Sequence, residues 1–324
     1  MRARGRVRSE EMAIGGDAHQ PVLLSEAIQA LGIQTDGLYL DATFGRGGHS
    51  RAILAALGPA GRLWAMDRDP DAVAVGRQLA AEDSRFGIEQ TPFSRLGDWA
   101  AREGLTGRLD AVLMDLGLSS PQLDNPERGF SFLLDGPLDM RMNPDTAVPS
   151  AAQWLAVASE AEIARVLWEF GEERFARRIA GAIVRSRIQE PLLRTSRLAS
   201  LIAGACPTRE PGKHPATRSF QAIRIHINQE LQELAAALAQ CLEVLRIGGR
   251  LVVISFHSLE DRLVKRFIRA GSQGPQLPKG LPVPAADYPV RLRALGSPQR
   301  PGDLEVRANP RSRSAILRVA ERLA

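Results

Sequence analysis

Short apolar runs alternate with amphipathic segments over the first third of the chain, and this alternation constrains the fold more than any other feature. The runs at 38–40, 62–66, 86–89 and 109–114 predict strands, whereas the segments between them have helical spacing. Parallel strands need a long crossover connection, usually a helix, and antiparallel strands do not. The sequence therefore predicts an α/β fold with a doubly wound, mostly parallel sheet of the Rossmann-like type.

The alternation stops after Asp115. Residues 116–149 are rich in Pro, Gly, Asp and Asn, and a helical stretch follows, before the apolar run 251–254 resumes the sheet and 315–319 predicts its last strand. We therefore predict three parts: a disordered basic leader at 1–18, a Rossmann-like domain formed by 19–129 and 216–324, and an inserted all-α domain at 130–215.

Several helix boundaries follow from local signals. Ser25 is a candidate N-cap for a first helix that ends at Gly32. An apolar helical stretch begins near Ala52, and a long amphipathic helix from about Asn228 to Leu245 ends in the run Ile247-Gly248-Gly249. Each of these boundaries is predicted only from residues that are adjacent to it in sequence.

The charge is unevenly distributed. The chain carries 42 basic and 37 acidic residues, a net charge of +5, yet the segment from Arg262 to Ala324 holds thirteen basic residues and four acidic ones. A basic segment of this kind favours a polyanion such as nucleic acid, and a solvated basic surface is the alternative. The sequence gives no signal of an oligomeric state.

The composition disfavours a membrane protein, a disulfide-rich protein and a metal-binding protein. No apolar run reaches the roughly 20 residues that span a bilayer, so no membrane association is predicted. Cys206 and Cys241 cannot build a disulfide framework, which favours a reducing cytoplasm. Because no Cys/His cluster has metal-ligand spacing, we predict no metal.

A glycine-rich turn follows the first predicted strand. Asp41 ends that strand, and Gly45, Gly47 and Gly48 precede a helix, so a ligand could approach the backbone closely. Asp67 ends the second strand, where an acid would accept hydrogen bonds from both ribose hydroxyls of an adenosine cofactor. A dinucleotide and S-adenosylmethionine both fit this arrangement.

Two residues favour the sulfonium cofactor. The dinucleotide fingerprint G-x-G-x-x-G fails because Ser50 stands where its third glycine would be. Asp41 would repel a pyrophosphate but would face the cationic methionine end of S-adenosylmethionine favourably. Turn residues at a sheet edge, without a ligand, are the alternative interpretation.

The end of the fourth strand predicts where an amine would be held. Asp115 is followed by Ser119-Ser120-Pro121-Gln122, a variant of the element with which methyltransferases hold exocyclic amines, although the terminal aromatic is missing. Acceptors on the amine N–H groups, supplied by Asp115 and the Ser119 or Ser120 hydroxyl, would localise its lone pair and orient it. A helix N-cap is the alternative role for these serines.

Six motifs together resemble one family, the bacterial 16S ribosomal RNA cytosine-N4 methyltransferases, from about His19 to the C-terminus. The motifs are Asp41-Ala-Thr-Phe-Gly-Arg-Gly-Gly-His49, Asp115-Leu-Gly-Leu-Ser-Ser-Pro-Gln122, Glu127-Arg-Gly-Phe-Ser-Phe132, Gly136-Pro-Leu-Asp-Met-Arg-Met142, His214-Pro-Ala-Thr-Arg218 and Ser255-Phe-His-Ser-Leu-Glu-Asp-Arg262. The resemblance implies methyl transfer from S-adenosylmethionine to N4 of a decoding-region cytosine in the small ribosomal subunit. It also implies that the helical insert recognises the substrate.

The resemblance also implies which residues bind the cofactor. The implied contacts are Gly47, Gly48, His49, Asp67, Phe93, Asp115 and Gln122. Phe93 could cover the adenine ring, and Asp115 could serve the base, the cofactor or both. For His49 a cofactor or backbone contact is favoured over a catalytic base.

Four residues are candidates for RNA contact: His214, Arg218, Arg224 and His257. Ordinary pairing with Glu230 or Glu233 is the alternative for the arginines, and stabilisation of a turn is the alternative for His257. The further arginines at 174, 177, 178 and 185 accompany Glu172 and Glu173. A solvated, salt-bridged helix face is their default interpretation, and RNA contact is the alternative.

Three other functions remain open at this stage. A nicotinamide-dependent oxidoreductase would share the sheet but lacks the third glycine. A DNA amino-methyltransferase would share the chemistry, and a non-catalytic ribosome-assembly factor would share the fold and the basic segment.

Overall fold

The computed structural model describes residues 21–208, 212, 214–273 and 290–324. The leader predicted at 1–18 lies outside the described residues. The helices are α1 (Leu24–Leu31), α2 (Gly48–Ala56), α3 (Pro70–Glu82), α4 (Leu96–Arg102), α5 (Ser120–Asp124), α6 (Ala151–Val157), α7 (Glu160–Gly171), α8 (Ala176–Gln189), α9 (Thr195–Ala205), α10 (Thr217–Asn228), α11 (Glu230–Val244), α12 (Ser258–Gln273) and α13 (Asp303–Ala308). The strands are β1 (Leu38–Asp41), β2 (Arg62–Asp67), β3 (Phe86–Gln90), β4 (Leu109–Asp115), β5 (Leu245–Ser255), β6 (Leu292–Ala294) and β7 (Ile316–Arg322).

Within the described residues, all seven strands form one sheet in the order β3-β2-β1-β4-β5-β7-β6. Neighbours from β3 to β5 are parallel, whereas β7 is antiparallel to both β5 and β6. The strand order reverses between β1 and β4, which is the switch point where open α/β sheets bind ligands at the carboxyl ends of their strands. The predicted doubly wound α/β fold is confirmed.

Side chains alternate between the two faces of the sheet, and each face carries its own core. Along β4, Val112 and Met114 pack in a cluster with residues of α4, α11 and α12. Ala111 and Leu113, which alternate with them in sequence, pack in the opposite cluster with residues of α1, α2 and α3. Because helices cover both faces of the sheet, the sequence of β4 is a continuous apolar run and does not alternate between apolar and polar residues.

A third core lies among the helices. It extends from Phe130 to Ile227 and includes Ile163, Val166 and Leu167 of α7, all fully buried. Helix α10 belongs to this cluster and packs chiefly on α7. The cluster thus continues past residue 215, where the predicted insert ends, and the division of the chain into domains stays a prediction.

Some boundaries differ from the predicted ones. The N-cap of α1 is Leu23, in a left-handed conformation, and not Ser25, because the Leu23 N–H donates to Glu305 Oε1 at 2.8 Å. Strand β5 already begins at Leu245 and passes through the two glycines expected to end the helix. A Cβ on Gly249 would lie 2.8 Å from the Leu109 carbonyl oxygen, so this glycine serves a close approach of β5 to β4.

Helix α2 begins at Gly48, four residues before the apolar stretch that predicted it, because the glycine turn itself starts the helix. Among the described residues, no helix has both the length and the apolar character that crossing a membrane requires.

Candidate active site

The glycine turn lies between β1 and α2, at the carboxyl edge of the sheet. Gly45 and Gly47 have φ of +56° and +75°, and a Cβ on Gly47 would lie 2.6 Å from the Phe44 ring. Other residues would be strained at these φ values, so the turn requires glycine. The result is a backbone surface without side chains at the N-terminus of α2, where N–H groups favour an electron-rich ligand.

Asp67 fixes this turn from β2. Its Oδ2 accepts the Gly45 N–H at 2.8 Å, and its Oδ1 accepts the Asp69 N–H at 2.9 Å. Burial raises the pKa of Asp67 to about 6, although these two hydrogen bonds oppose the shift. A carboxylate has about four lone-pair sites, so each oxygen retains acceptor capacity for a ligand hydroxyl.

Asp41 lies beneath the turn, with no exposed surface. Its Oδ2 accepts the Ser50 hydroxyl at 2.6 Å, and its Oδ1 accepts the Thr43 N–H at 3.1 Å. Burial is the main reason that the pKa of Asp41 rises to about 6. The carboxylate therefore organises the turn and acts on a ligand through its charge.

Asp115 and His49 face each other at the switch point. His49 Nδ1 lies 3.5 Å from Asp115 Oδ2, and burial lowers the pKa of His49 to about 4, so the imidazole is neutral at pH 7. Burial, with the charges of Asp41 and Glu260, raises the pKa of Asp115 well above its usual value. Asp115 Oδ1 and His49 Nε2 are buried and have no hydrogen-bond partner among the described residues.

These two orphaned atoms test whether the site fits the expected cofactor. A buried polar atom without a partner is costly, which makes a ligand at this position favourable. Three carboxylates at one edge also suit a cation, because a positive charge offsets their mutual repulsion. The residues thus fit a sulfonium cofactor, and they would repel the pyrophosphate of a dinucleotide.

Ser119 begins α5 beside the turn, since a Cβ on Gly45 would lie 3.8 Å from Ser119 Cβ. The Ser119 N–H donates to Gln122 Oε1 at 2.9 Å, and Gln122 Nε2 donates to Asp69 Oδ2 at 2.6 Å. Ser119 is therefore the N-cap of α5, and Ser120 is its first residue. Both serines thus have a place in the start of the helix, and their role in holding an amine stays a prediction.

The structure brings most predicted cofactor residues to one edge. Phe93 follows β3 there, in a short 3₁₀ turn, half-buried against the core that holds α4 and α11. The residues joined by direct contacts or chain adjacency are Asp41, Gly45, Gly47, Gly48, His49, Asp67, Asp115, Ser119 and Gln122.

The four RNA candidates occupy different settings. His214 is exposed and lies against the Phe132 ring, with centroids 4.6 Å apart. Arg218 Nη1 donates to the Glu172 carbonyl at 3.1 Å. Arg224 forms two hydrogen bonds of 2.8 and 2.7 Å with Glu230, which is the pairing that the sequence left open.

His257 belongs to a buried polar network after β5. Its Nε2 lies 3.1 Å from Glu260 Oε1, while Glu260 Oε2 accepts the Phe256 N–H at 2.8 Å. Ligand atoms of Glu230, His257 and Glu260 lie within 4.8 Å of one another, a spacing that a metal could use. However, the Arg224 guanidinium already supplies the cation for Glu230, so the geometry favours an ion-pair network.

Sequence reasoning missed Asp69 and Arg128, which tie the site to the helices. Asp69 caps α3, and its Oδ2 also accepts Arg128 Nη1 at 2.9 Å. Arg128 donates further to Asp71 and to the Met142 carbonyl at 2.8 Å. The N-cap before Pro70 was detectable from sequence, whereas the long-range contacts of Arg128 were not.

The comparisons with known proteins agree with this geometry. The model of the MraW methylase family matches residues 17–323. Ribosomal RNA small subunit methyltransferase H of Thiobacillus denitrificans is 58% identical over 308 residues, 95% of this chain and 98% of that protein. The protein of the same name from Thioalkalivibrio sulfidiphilus is 59% identical, with the same coverage.

Among solved structures, an rRNA methylase from Streptococcus thermophilus covers 93% of this chain and 94% of its own, with 12% identity and a TM-score of 0.40. No conclusion rests on that remote likeness. The family match spans nearly the whole chain and explains the acid-rich glycine turn. The chain belongs to the MraW methylase family, and it is a methyltransferase that uses S-adenosylmethionine.

Proposed function

We propose that this protein methylates N4 of a cytosine in the decoding region of 16S ribosomal RNA. Two relatives that share 58% and 59% of their residues with this chain are named ribosomal RNA small subunit methyltransferases, which supports the substrate class. The six sequence motifs support the target atom. A ribosomal substrate would place the protein in the cytoplasm, the compartment that the cysteine content favours.

The observation that carries the proposal is the orphaned acceptor of Asp115. This oxygen is buried at the carboxyl end of β4, beside His49 of the glycine turn, and Ser119 and Ser120 follow four and five residues later in the chain. An exocyclic amine offers two N–H donors, and its lone pair is delocalised into the ring. Acceptance of these donors by Asp115 and a serine hydroxyl would localise the lone pair on the nitrogen and direct it.

S-adenosylmethionine supplies an electrophilic methyl group on a positively charged sulfur. The proposed task of the chain is to hold the amine in line with it, since well-oriented reactants gain about 7–11 kcal/mol in intramolecular models. In the proposed transfer the amine nitrogen would form the new N–C bond while the methyl–sulfur bond breaks, with S-adenosylhomocysteine as the leaving group, and the nitrogen would lose one proton to solvent. Neutral His49 keeps its Nδ1 facing Asp115 and so positions that carboxylate.

A base within a helical stack cannot reach this edge of the sheet. We therefore propose that the target cytosine is single-stranded or splayed out when it binds. The helical cluster, which Arg128 ties to Asp69 at the sheet edge, would recognise the surrounding RNA.

The test offers methyl-labelled S-adenosylmethionine with assembled small subunits, protein-free 16S RNA and duplex DNA in parallel. We expect label in RNA, recovered as N4-methylcytidine after hydrolysis to nucleosides and mass spectrometry. Label on duplex DNA would instead support a DNA amino-methyltransferase. Binding to small subunits without any label would support the non-catalytic assembly factor.

A further inference from the structure

A groove on the helical cluster remains outside the chemistry described above. It lies between α7 and the beginning of α8 and has a volume of about 910 Å³. The side chains that line it include Arg165, Trp168, Arg174, Arg177 and Arg178, with Glu160 as an acid. This combination of a large aromatic and several guanidinium groups is unusual for a surface that contacts only water.

Trp168 is the aromatic of this groove, and it is 63% exposed. By contrast, Trp154 of the same cluster is 8% exposed, and its indole N–H donates to Glu162 Oε1 at 3.1 Å. Trp168 thus contributes little to the helical core. An exposed indole offers a flat surface on which a nucleobase can stack.

The arginines beside it are available for a partner. Residues 174–189 contain five arginines and no acidic residue. Arg174, Arg177 and Arg178 are exposed, and none of them forms an ion pair or side-chain hydrogen bond with any residue that the structure describes. Of the acids nearby, Glu172 contacts Arg262 at 3.1 Å and buried Glu173 accepts the Phe175 N–H, while Glu160 lines the groove itself.

Two of these arginines also lie at a helix N-terminus, where a positive charge is unfavourable. Arg177 and Arg178 lie in the first turn of α8, near the positive end of the helix dipole. Positive side chains there are unfavourable by a small amount, and neither arginine forms an ion pair with a residue that the structure describes. Residues that are unfavourable for local structure and gain no stabilising contact are candidates for a functional role.

A short chain of contacts leads from the groove toward the end of β5. Glu172 ends α7, and its carbonyl and carboxylate contact Arg218 and Arg262 respectively. Arg262 belongs to α12, which begins directly after the carboxyl end of β5. Arg174 lies two residues after Glu172, so the chain connects the groove to Arg218 and Arg262.

We propose that this groove binds ribosomal RNA next to the target cytosine: one unpaired base stacks on Trp168, and phosphates contact Arg174, Arg177 and Arg178. The proposal rests on the proposed function. It replaces the default interpretation of this helix face as salt-bridged and solvated, because the expected salt bridges do not form.

The first test measures binding of the full-length protein to assembled small subunits as a function of salt. Arg177→Ala/Arg178→Ala should lower the slope of log affinity against log salt by about 1.4, at about 0.7 for each single-strand phosphate contact. The matched control is Arg77→Ala/Arg108→Ala, which removes two exposed arginines from the sheet domain. This control should leave the salt slope close to wild type, apart from a general charge effect shared by both variants.

The second test addresses stacking. Trp168→Ala should weaken binding about tenfold, whereas Trp168→Phe should retain most of the affinity, because any aromatic face stacks with a base. Wild-type tryptophan fluorescence should fall when RNA binds, and Trp168→Phe should lose that response. Calorimetry with S-adenosylmethionine should give wild-type affinity for all four variants, which verifies folding and the cofactor site.

Two results would overturn the inference without touching the proposed function. One is wild-type methylation of small-subunit RNA with unchanged affinity in Trp168→Ala and Arg177→Ala/Arg178→Ala. The other is ultraviolet cross-linking of the peptide that contains Trp168 to a ribosomal protein and not to RNA. If wild-type protein transfers no methyl group to any RNA, the proposed function itself fails.

Discussion

The edge of the sheet and the α7–α8 groove use charge in opposite ways. At the edge, carboxylates are buried, and backbone N–H groups or hydroxyls hold Asp41 and Asp67. In the groove, the guanidinium groups of Arg174, Arg177 and Arg178 are exposed and form no ion pair or side-chain hydrogen bond with the described residues, whereas Arg165 pairs with Glu169. Fixed acceptors suit one small cation of constant shape, whereas free arginines suit a polyanion whose backbone varies in path.

The largest expected effect concerns the tie between the sheet edge and the helical cluster, which Arg128 makes through Asp69 and the Met142 carbonyl. Arg128→Ala should lower the free energy of unfolding by about 3–5 kcal/mol, because it leaves nearly buried Asp69 without its cation. Urea denaturation measures this change. The control, Arg102→Ala, removes an exposed pair with Glu89 and should cost less than about 1 kcal/mol. Equal effects of the two substitutions would show that the regions are not coupled through Arg128.

The buried acid at the edge should make stability depend on pH. Since the folded-state pKa of Asp41 is about 6 against an ordinary 3.8, the native state binds the proton more tightly. Asp41 therefore destabilises the fold increasingly as pH rises from about 4 to about 6, by up to about 3 kcal/mol. Asp41→Asn should lack this component, so the difference in unfolding free energy between the two proteins should change between pH 4 and pH 7. Parallel pH profiles would contradict the burial of an ionisable group there.

Asp115→Asn tests whether the edge acts on the base or only on the cofactor. We expect kcat to fall about 100-fold, equivalent to about 2.7 kcal/mol, because the amide presents only one acceptor oxygen. Single-turnover methylation and calorimetry with S-adenosylmethionine separate the two roles. Full activity with unchanged cofactor affinity would exclude Asp115 from both.

A smaller effect should distinguish cationic from neutral ligands. S-adenosylmethionine should bind about tenfold more weakly at pH 5 than at pH 8, because protonation of Asp41, whose pKa is about 6, removes a negative charge that attracts the cationic end of the cofactor. S-adenosylhomocysteine, whose sulfur is neutral, serves as the matched ligand and should change less. Calorimetry across this pH range measures both, and equal dependence would show that sulfur charge is not recognised.

The edge of the sheet was largely predictable from sequence, for physical reasons. Gly45, Gly47 and the acids at strand ends lie within short segments whose backbone conformation is determined locally. Parallel strands then bring their carboxyl ends together without further information. For this reason motifs distant in sequence, such as those around Asp41 and Asp115, meet in space.

The remaining features depend on long-range contacts that no local pattern encodes. The start of α1 follows from Glu305, 282 residues away, and the glycines of β5 follow from a close approach to Leu109. The partners of Glu172 and Glu173 could not be read from their spacing to the neighbouring arginines: Glu172 pairs with Arg262 of α12, and Glu173 accepts the Phe175 N–H.

Asp69 illustrates how little freedom such a fold leaves at a single position. Its side chain caps α3, anchors Gln122 from the start of α5 and neutralises Arg128. Asparagine would present an amide nitrogen to donors, and glutamate would not keep the same reach. We therefore expect evolution to have few acceptable replacements here, since any exchange would loosen three elements at once.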